Sequence, residues 1–384
     1  MKWVKISEIC KTTQGIQIEK SNQYNISKES SIRYLYIEDF KSEAELKFID
    51  FQESKHVNKI VTEADLVMAN TGSPGAIFKG VYGVLSNNLF KISFDNEILD
   101  RDYLYYILSS NIFQRMLGKK MKGGIQKHLG HKTIGEQYIP IYSKDKQQEI
   151  VKALDKAKKL VDLRQFQITA LDELIQSLFL EMFGDPISTI NKFPKRPLSD
   201  FGEIITGNTP SRKEPEYYGN HIEWIKSDNI NTPYHYLTKA EEFLSEKGLE
   251  KGRLVPENSI LVTCIAGSKS CIGNAAIADR PVTFNQQINA IVPNGNPYFL
   301  YTQFIVGKKL IQRASTDGMK GLVSKGAFQK VEFIDPPLNL QNEFGERFLA
   351  IQNNKQVLME SLKHLENLYN ALLQKVFKGE LLND

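Results

Sequence analysis

Basic side chains are concentrated in two stretches of the sequence, one in each half. The stretch from Asn111 to Lys132 contains six basic residues and no acidic one, and the stretch from Val306 to Lys330 contains six against the single acid Asp317. They are Arg115, Lys119, Lys120, Lys122, Lys127 and Lys132, then Lys308, Lys309, Arg313, Lys320, Lys325 and Lys330. Lysine and arginine neutralise phosphates, so the repeated pattern predicts DNA contact, whereas one such stretch alone would favour a solvated basic face.

Both basic stretches also contain glycine and glutamine. Glycine permits close approach of the backbone, and glutamine can present a donor and an acceptor to the edge of an adenine. The sequence therefore predicts two DNA-contacting loops. Their candidate residues are Lys119, Lys120, Lys122, Gly123, Gln126 and Lys127 in the first loop, and Lys320, Gly321 and Lys325 in the second.

Two turns rich in glycine and serine are further candidates for phosphate contact. They are Asn70-Thr71-Gly72-Ser73-Pro74-Gly75 and Ala266-Gly267-Ser268-Lys269. Neither matches the phosphate-binding loop of P-loop proteins, which needs G-x-x-x-x-G-K-[ST]. We take Ser73, Ser268 and Lys269 as candidate DNA contacts, and a tight turn after a strand is an equally good interpretation of both segments.

Three segments bear a partial similarity to catalytic motifs. Asp335-Pro336-Pro337-Leu338 resembles the D-P-P-[YF] motif of adenine methyltransferases, but leucine replaces the aromatic residue and no glycine-rich loop offers a site for S-adenosylmethionine. Asp39 with Glu45-Leu46-Lys47 loosely matches a nuclease pattern that the second half lacks. His128 and His131 have no cysteine or carboxylate partner at metal-ligand spacing. We therefore predict no catalytic residue, no metal and no cofactor.

The second half of the sequence repeats the first. Six blocks recur in the same order, shifted by between 187 and 198 residues, which is difficult to obtain by coincidence. Gly15 corresponds to Gly207, and Met121-Lys122-Gly123 corresponds to Met319-Lys320-Gly321. Each copy begins with about 140 residues of short apolar runs punctuated by Gly, Asn and Pro, among them Leu66–Met68, Ile260–Thr263 and Ala290–Val292, which predict strands.

Each copy ends in a long amphipathic helix. Apolar residues follow alternating steps of four and three over about five heptads, which is typical of a coiled-coil seam. The seams contain Ile150, Leu154, Ala157, Val161, Ile168, Leu171, Ile175, Leu178 and Met182, then Phe344, Phe348, Ile351, Leu358, Leu362, Leu365, Tyr369, Leu372 and Val376, with breaks at Arg164 and Lys355. The first helix is expected to end at Phe183-Gly184-Asp185-Pro186 and the second near Gly379.

The predicted fold class is α+β. It consists of two mixed α/β domains in an internal repeat, separated by two long helices that pair as an antiparallel coiled coil. The expected segments are a first domain at 1–143, a central helix at 144–184, a second domain at 185–338 and a distal helix at 339–384. Two alternatives stay open, namely that each helix packs on its own domain or that the chain dimerises through its helices.

Composition points to an intracellular protein of two or three domains. The 384 residues contain three cysteines without a C-x-x-C pair, which argues for free thiols in a reducing cytoplasm. The longest apolar run, Ile260–Ala266, is far too short to cross a membrane, and the N-terminus has no apolar core of signal-peptide length. The net charge of +4 permits a nucleic-acid partner without requiring one.

Several motifs together resemble the specificity (S) subunits of type I restriction-modification systems. The first is the block Ile260-Leu261-Val262-Thr263 with Gly267-Ser268 and Asn285-Gln286-Gln287-Ile288-Asn289-Ala290-Ile291. The others are the helix lead-ins Ile139-Pro140, Gln148-Glu149-Ile150 and Pro336-Pro337 with Gln341, the helix ending Leu171–Gln176 with Met182–Pro186, and the tail Phe377–Leu381. The first domain departs from the pattern, since Ser86-Asn87-Asn88 stands where the second has Phe284-Asn285-Gln286-Gln287.

The resemblance implies a DNA-recognition subunit without catalytic activity. In that family each α/β domain is a target-recognition domain that reads one half of a bipartite site in double-stranded DNA. The two helices separate these domains and dock the methyltransferase (M) subunits, two being expected, while the restriction/translocase (R) subunits join through the complex. The alternatives are a stand-alone DNA methyltransferase or nuclease with its own active site, and a coiled-coil scaffold with no DNA role.

Overall fold

The protein is described by a computed structural model, which covers residues 1–41, 45–121, 128–232, 234–316 and 321–380. The chain divides into two compact units. Unit 1 consists of Met1–Gln165 together with Glu360–Asp384, and unit 2 consists of Phe166–Met359. Each unit thus contains one end of each long helix, and the four segment boundaries proposed from the sequence stay a prediction.

Unit 1 contains ten strands and five short helices among its described residues, together with parts of two long helices. The strands are β1 (Lys2–Lys5), β2 (Cys10–Gln14), β3 (Ser31–Leu35), β4 (Phe48–Asp50), β5 (Ile60–Val61), β6 (Leu66–Ala69), β7 (Ile77–Lys79), β8 (Gly83–Leu85), β9 (Leu89–Phe94) and β10 (Tyr138–Ile141). The helices are α1 (Ile6–Ile9), α2 (Glu53–His56), α3 (Arg101–Ser109), α4 (Asn111–Lys120), α5 (His131–Gly135) and the first part of α6 (Lys144–Phe183).

Two four-stranded sheets and one two-stranded sheet form the β part of unit 1. Their strand orders are β2-β9-β6-β7, β4-β3-β8-β5 and β1-β10. All neighbouring pairs are antiparallel except β3 and β8, where Tyr34 pairs with Val84 in a parallel arrangement. All four residues of β6, Leu66–Ala69, are buried, which explains why this strand has a continuous apolar sequence instead of an alternating one.

Unit 2 repeats this topology. Its strands are β11 (Lys195–Pro197), β12 (Gly202–Thr206), β13 (Tyr218–Ile225), β14 (Phe243–Leu244), β15 (Leu254–Val255), β16 (Ile260–Thr263), β17 (Ile265–Ala266), β18 (Ala275–Ile277), β19 (Val282–Phe284), β20 (Ile288–Pro293), β21 (Gly321–Leu322) and β22 (Glu332–Ile334). Its helices are α7 (Glu246–Lys251), α8 (Pro297–Val306), α9 (Lys308–Arg313), α10 (Lys325–Gln329) and the first part of α11 (Leu338–Lys378).

The sheets of unit 2 have the orders β12-β20-β16-β18, β14-β13-β19-β15 and β11-β22. They match the three sheets of unit 1 strand by strand, and the single parallel pair, β13 with β19, falls at the equivalent place. An additional small sheet pairs β17 with β21. The internal repeat predicted from the sequence is therefore confirmed as a repeat of topology.

A glycine is required at the same chain crossing in both units. A β-carbon built on Gly15 would lie 2.0 Å from the carbonyl oxygen of Ser86, and one built on Gly207 would lie 2.1 Å from that of Asn285. Real β-carbons do not approach a carbonyl oxygen so closely, so a side chain at either position would force the two chain segments apart. The correspondence of Gly15 with Gly207 in the sequence thus has a steric cause.

The long helices contribute to the hydrophobic core of each unit. In unit 1, Ile150 and Leu154 of α6 are buried in one cluster with Leu373 and Val376 of α11. In unit 2, Phe183 of α6 lies 5.7 Å from the ring of Phe344 of α11. The observed helices, Lys144–Phe183 and Leu338–Lys378, confirm the two predicted helical segments. Both end before a glycine in the left-handed region, Gly184 at φ 79° and Gly379 at φ 81°.

Within unit 2 the two helix segments run in opposite directions. Asp172 of α6 bonds Lys355 of α11, while Phe183, further along α6, contacts Phe344, nearer the start of α11. This direction agrees with the predicted antiparallel arrangement inside the unit. Pairing along the full length of both helices as one coiled coil stays a prediction. Among the described residues, no helix is both long enough and apolar enough to span a membrane.

Candidate nucleic-acid interface

One edge of unit 2 brings together two of the segments proposed to contact DNA. Ala266, at the start of the second Gly-Ser turn, pairs with Gly321 of the second basic loop in the β17–β21 sheet. The backbone N–H of Val323 also donates to the carbonyl oxygen of Cys264 at 2.8 Å. The sequence placed these segments more than 50 residues apart, and the small sheet makes them neighbours.

The Gly-Ser turn of unit 2 is held in place by polar contacts. The Ser268 hydroxyl accepts from the backbone N–H of Ser270 at 3.3 Å and caps a short 3-10 helix. The Gln312 side-chain amide, from α9, donates to the carbonyl oxygens of Lys269 and Ile272, both at 3.3 Å. Ser268 and Lys269 are themselves exposed, so the turn can present a hydroxyl and a cation to a phosphate.

The remaining candidates of the second basic loop differ in their surroundings. Gly321 is buried, and a β-carbon there would lie 2.7 Å from Ile272. This glycine therefore allows the backbone to approach a neighbouring side chain. Lys325 is exposed as the first residue of α10, a helix whose N-terminus is capped by the Ser324 hydroxyl accepting from the N–H of Ala327. Lys320 lies outside the described residues.

The first Gly-Ser turn occupies the equivalent edge of unit 1. Gly72 and Gly75 both have positive φ, 74° and 93°, which only glycine adopts readily. The Gln114 amide, from α4, donates to the carbonyl oxygen of Gly75 at 2.8 Å, and Lys41 donates to the Ser73 hydroxyl at 3.2 Å. A glutamine of the corresponding helix, α4 in unit 1 and α9 in unit 2, therefore holds the turn in each unit.

The first basic loop begins where α4 ends. Lys119 and Lys120 are exposed in the last turn of this helix, where cations interact favourably with the helix dipole. Beyond the loop, the N–H of Leu129 donates to the carbonyl oxygen of Asn70 at 2.9 Å, which matches the bond from Val323 to Cys264 in unit 2. The predicted contacts Lys122, Gly123, Gln126 and Lys127 lie outside the described residues.

Sequence reasoning did not propose a third segment at this edge as a DNA contact. In unit 1 it is the turn of residues 86–88 between β8 and β9, and in unit 2 the turn of residues 285–287 between β19 and β20. The N–H of Asn70 donates to the carbonyl oxygen of Asn88 at 3.0 Å, and that of Cys264 to Gln287 at 2.8 Å, so each turn adjoins the base of the Gly-Ser turn. The sequence did contain a signal for this segment, since a polar triplet lies between two apolar runs in both halves.

Exposed polar side chains meet at these turns in both units. The Asn87 side-chain amide donates to Gln17 Oε1 at 3.4 Å, and the Thr209 hydroxyl donates to Gln286 Oε1. All four residues are exposed. Since Gln17 and Thr209 each lie two residues after the crossing glycine of their unit, the two pairs occupy equivalent positions.

His131 has a structural role at the edge of unit 1. Its Nδ1 lies 2.7 Å from the Thr12 hydroxyl and its Nε2 lies 2.8 Å from Gln14 Oε1, so both ring nitrogens are engaged by β2. Burial lowers the pKa of His131, and the neighbouring His128 and Lys59 lower it further, which favours a neutral ring at neutral pH. Within the described part of the chain, no group of three or more His, Cys, Asp or Glu side chains could hold a metal.

The residues that resembled catalytic motifs take part in structural ion pairs. Asp335, the acid of the D-P-P-L segment, accepts from the Arg196 guanidinium at 2.9 Å just before α11 begins. Asp39 accepts from the guanidinium of Arg33 at 2.7 Å and from the N–H of Tyr36 at 2.7 Å. Both carboxylates are therefore engaged in holding the fold.

Comparison with known proteins assigns the chain to a family. The sequence profile of the type I restriction modification DNA specificity domain matches residues 1–172 and again residues 191–367. The chain belongs to this family. Two consecutive matches to this specificity domain agree with the two repeated units and with the resemblance noted from the motifs.

Individual relatives of this specificity-domain protein carry the same description. Its sequence is 30% identical over 199 residues to the HindI specificity subunit of Haemophilus influenzae, covering 48% of this chain and 40% of that protein. It is 22% identical over 345 residues to the MjaVIII specificity subunit of Methanocaldococcus jannaschii, covering 84% of this chain and 80% of that protein. The matched segment thus spans less than half the length of the Haemophilus relative.

A solved structure shares the fold of the specificity-domain protein. It is a chain from a structure concerned with complex assembly and conformational transition of the type I R-M system. The two superpose with a TM-score of 0.61 at 16% identity, covering 99% of this chain and 98% of the other. At this identity the likeness establishes the fold alone.

Proposed function

We propose that the chain is the DNA-recognition subunit of a type I restriction-modification complex, and that each unit reads one half of a bipartite target. One observation carries the proposal. The same edge, where a Gly-Ser turn meets an exposed amide turn and the described end of a basic stretch, occurs in both halves of a protein that matches the family profile twice. Duplicated phosphate-binding and amide groups suit a split site on duplex DNA.

The proposal extends to segments, partners and compartment. Residues 1–143 and 185–338 are the two target-recognition domains, and residues 144–184 and 339–384 are spacer helices that dock two methyltransferase subunits. Restriction/translocase subunits join through that complex, and the chain works in the reducing cytoplasm. The subunit itself is non-catalytic and needs no cofactor, since methyl transfer and cleavage belong to the partner chains.

Mapping of methylated adenines tests this function directly. We expect a strain carrying the gene, together with its methyltransferase partner, to contain methylated adenines in one bipartite sequence, and a deletion strain to lack them. The purified chain alone, incubated with S-adenosylmethionine and mixed DNA, should transfer no methyl group. Methylation by the isolated chain, or an unchanged methylation pattern in the deletion strain, would refute the proposal.

The salt dependence of DNA binding tests the basic residues. One double variant replaces Lys119 and Lys120 of unit 1 with alanine, and the other replaces Lys269 and Lys325 of unit 2. Removing a phosphate contact should reduce the slope of log K against log salt concentration by about 0.9 on B-DNA. The matched control is a Lys156→Ala substitution on the exposed face of α6. An unchanged slope in both double variants would remove these residues from the interface.

The length of the spacer helices is open to a direct test as well. Inserting four residues after Leu163 adds about 6 Å of helix, and the same insertion near Val357 is needed to keep the two heptad phases matched. The matched double insertion should lengthen the unspecified part of the target by one or two base pairs at roughly 3.4 Å each and leave both defined blocks unchanged. An active complex that kept its original spacing would show that the helices do not set the distance.

A further inference from the structure

We infer that two equivalent side-chain pairs, Gln17 with Asn87 in unit 1 and Thr209 with Gln286 in unit 2, contact bases in the two half-sites. The inference rests on the proposed function and adds to it the residues that determine specificity. Neither pair belongs to the basic loops or the Gly-Ser turns that the sequence singled out.

The same backbone framework places both pairs. The N–H of Gly15 donates to Leu89 at 2.9 Å and that of Ile16 to Leu85 at 2.8 Å, and these bonds tie the chain crossing to both sides of the amide turn. In unit 2, Gly207 donates to Ile288 at 3.0 Å and Asn208 to Phe284 at 3.1 Å. Together with the crossing glycines, these bonds fix the turns without using the exposed side chains.

Contacts beneath Asn87 hold its backbone in place. The Asn70 side-chain amide donates to the carbonyl oxygen of Asn87 at 3.1 Å, and the Gln14 amide donates to the same oxygen. Lys59 donates to the carbonyl oxygen of Gln14 at 2.7 Å, which places a cation beside this framework. The exposed amide is therefore supported by neighbouring residues before any ligand binds, as a precise recognition site requires.

Each pair keeps unused hydrogen-bonding capacity among the described residues. Asn87 donates to Gln17 Oε1, so Gln17 Nε2 and Asn87 Oδ1, a donor and an acceptor, have no hydrogen-bond partner within the described ranges. Thr209 donates to Gln286 Oε1, which leaves Gln286 Nε2 as donor and the Thr209 hydroxyl oxygen as acceptor. One donor beside one acceptor is the combination that reads the N7 and N6 atoms of adenine in the major groove.

The two pairs differ in their residue types. Their positions are equivalent, but one is Gln with Asn and the other is Thr with Gln. The reach and the angle of the free donor and acceptor therefore differ between the two units. A bipartite target with two unlike halves needs such a difference at equivalent positions, whereas a purely structural contact would gain nothing from it.

Exchange of the two pairs tests the inference. The variant Gln17→Thr with Asn87→Gln carries the unit 2 pair in unit 1, and Thr209→Gln with Gln286→Asn is the reciprocal change. Each variant is purified in complex with the methyltransferase partner and used to select duplexes from a randomised pool. The bound sequences report the preferred bases whether or not methylation follows.

We expect each exchange to change or relax the preference at one or two positions in one half-site only. Discrimination at those positions should fall by about 10- to 100-fold, the range of one good amide–base contact. The matched control is Asn96→Ala, an exposed amide just beyond the opposite end of β9 and therefore about 20 Å from Asn87 at roughly 3.3 Å per residue. It should leave both half-sites unchanged.

The outcomes separate this inference from the proposed function. If the wild-type complex selects no bipartite sequence, the proposed function fails. If the wild type selects one and both folded exchange variants select the same one, the base-reading role fails while the proposed function stands. Loss of selection across a whole half-site, or changes in both half-sites from a single exchange, would also overturn it, because those results indicate a structural role for the pair.

Discussion

Replacement of Lys355 is the most informative stability experiment that the structure offers. The lysine lies in the seam of α11, its side chain is only 8% exposed, and it donates to both carboxylate oxygens of Asp172 at 2.6 and 2.8 Å. Asp172 Oδ1 also lies 2.8 Å from His235 Nε2, and His235 Nδ1 lies 3.0 Å from the hydroxyl of Tyr301. This chain of polar groups links α6, α11, α8 and the segment before β14.

The expected magnitude follows from burial. Removing one partner of a fully buried ion pair costs about 3–5 kcal/mol. Asp172 is 29% exposed and keeps its contact with His235, so solvent and the histidine compensate part of the loss. We therefore expect Lys355→Met, which retains most of the apolar stem, to lower the unfolding free energy of unit 2 by about 2–3 kcal/mol. The double variant Lys355→Met with Asp172→Leu should recover most of that loss, because no charge is then left buried.

The assay needs a probe that reports on unit 2 alone. The chain has two tryptophans, Trp3 in unit 1 and Trp224 in unit 2, and Trp224 is buried. In a Trp3→Phe background, fluorescence during urea unfolding reports on the surroundings of Trp224. The matched control is Lys309→Met, an exposed lysine of unit 2 that should change stability by less than about 0.5 kcal/mol.

Acid dependence gives a second readout of the same contact. Burial alone would raise the pKa of Asp172, but the hydrogen bonds and charges of His235 and Lys355 outweigh it and lower that pKa. The carboxylate therefore contributes stability that is present above its unfolded pKa, about 3.9, and is lost as the pH falls through the lower folded value. The loss of stability below about pH 4 should therefore be smaller in Lys355→Met than in the wild type. If Lys355→Met lowered the unfolding free energy of unit 2 by less than about 0.5 kcal/mol, the reasoning would be refuted. Additive effects of the two substitutions in the double variant would refute it as well.

Two further predictions concern close approach and thiol reactivity. Gly15→Ala should destabilise unit 1 by about 3 kcal/mol or more in urea unfolding, because the new β-carbon would meet a backbone oxygen. The control is Gly326→Ala, where a β-carbon would have no other atom within 4 Å. This control should leave the unfolding free energy unchanged or raise it by up to about 1 kcal/mol. Iodoacetamide at pH 8 should label Cys271 and spare Cys264, because burial raises the pKa of the Cys264 thiol to about 12. Peptide mass spectrometry measures the labelling, and equal modification of both cysteines in the folded protein would contradict this prediction.

The strands and long helices could be predicted from the sequence because they depend on local periodicity. Leu66–Met68 and Ile260–Thr263 were recognisable as short apolar runs, and both are buried strands. The heptad pattern located α6 and α11 to within a few residues. The repeat also allowed Gly15 and Gly207 to be matched, although the reason for the glycine became visible only when the crossing with the amide turn was seen.

Features that depend on distant partners were not predictable in the same way. Lys355 was interpreted as a break in the apolar seam, because the pattern shows where the residue lies but not that Asp172, 183 residues away, neutralises it. Gly321 was expected to let the backbone approach DNA, but it packs against Ile272. The exposed side chains of Asn87 and Gln286 carry no local signal beyond polarity, since their role depends on which segments the fold brings beside them.

The division of unit 1 into two separate parts of the chain has a consequence for biosynthesis. The hydrophobic core of unit 1 includes Leu373, Val376 and Phe377, which the ribosome adds roughly 200 residues after Gln165. At about 5–20 residues per second, Ile150 and Leu154 wait roughly 10–40 s for these neighbours. Unit 2 is continuous in the chain and can complete its core earlier. Unit 1 is therefore translated first but finishes folding last. Its apolar surface is available to a chaperone in the interval.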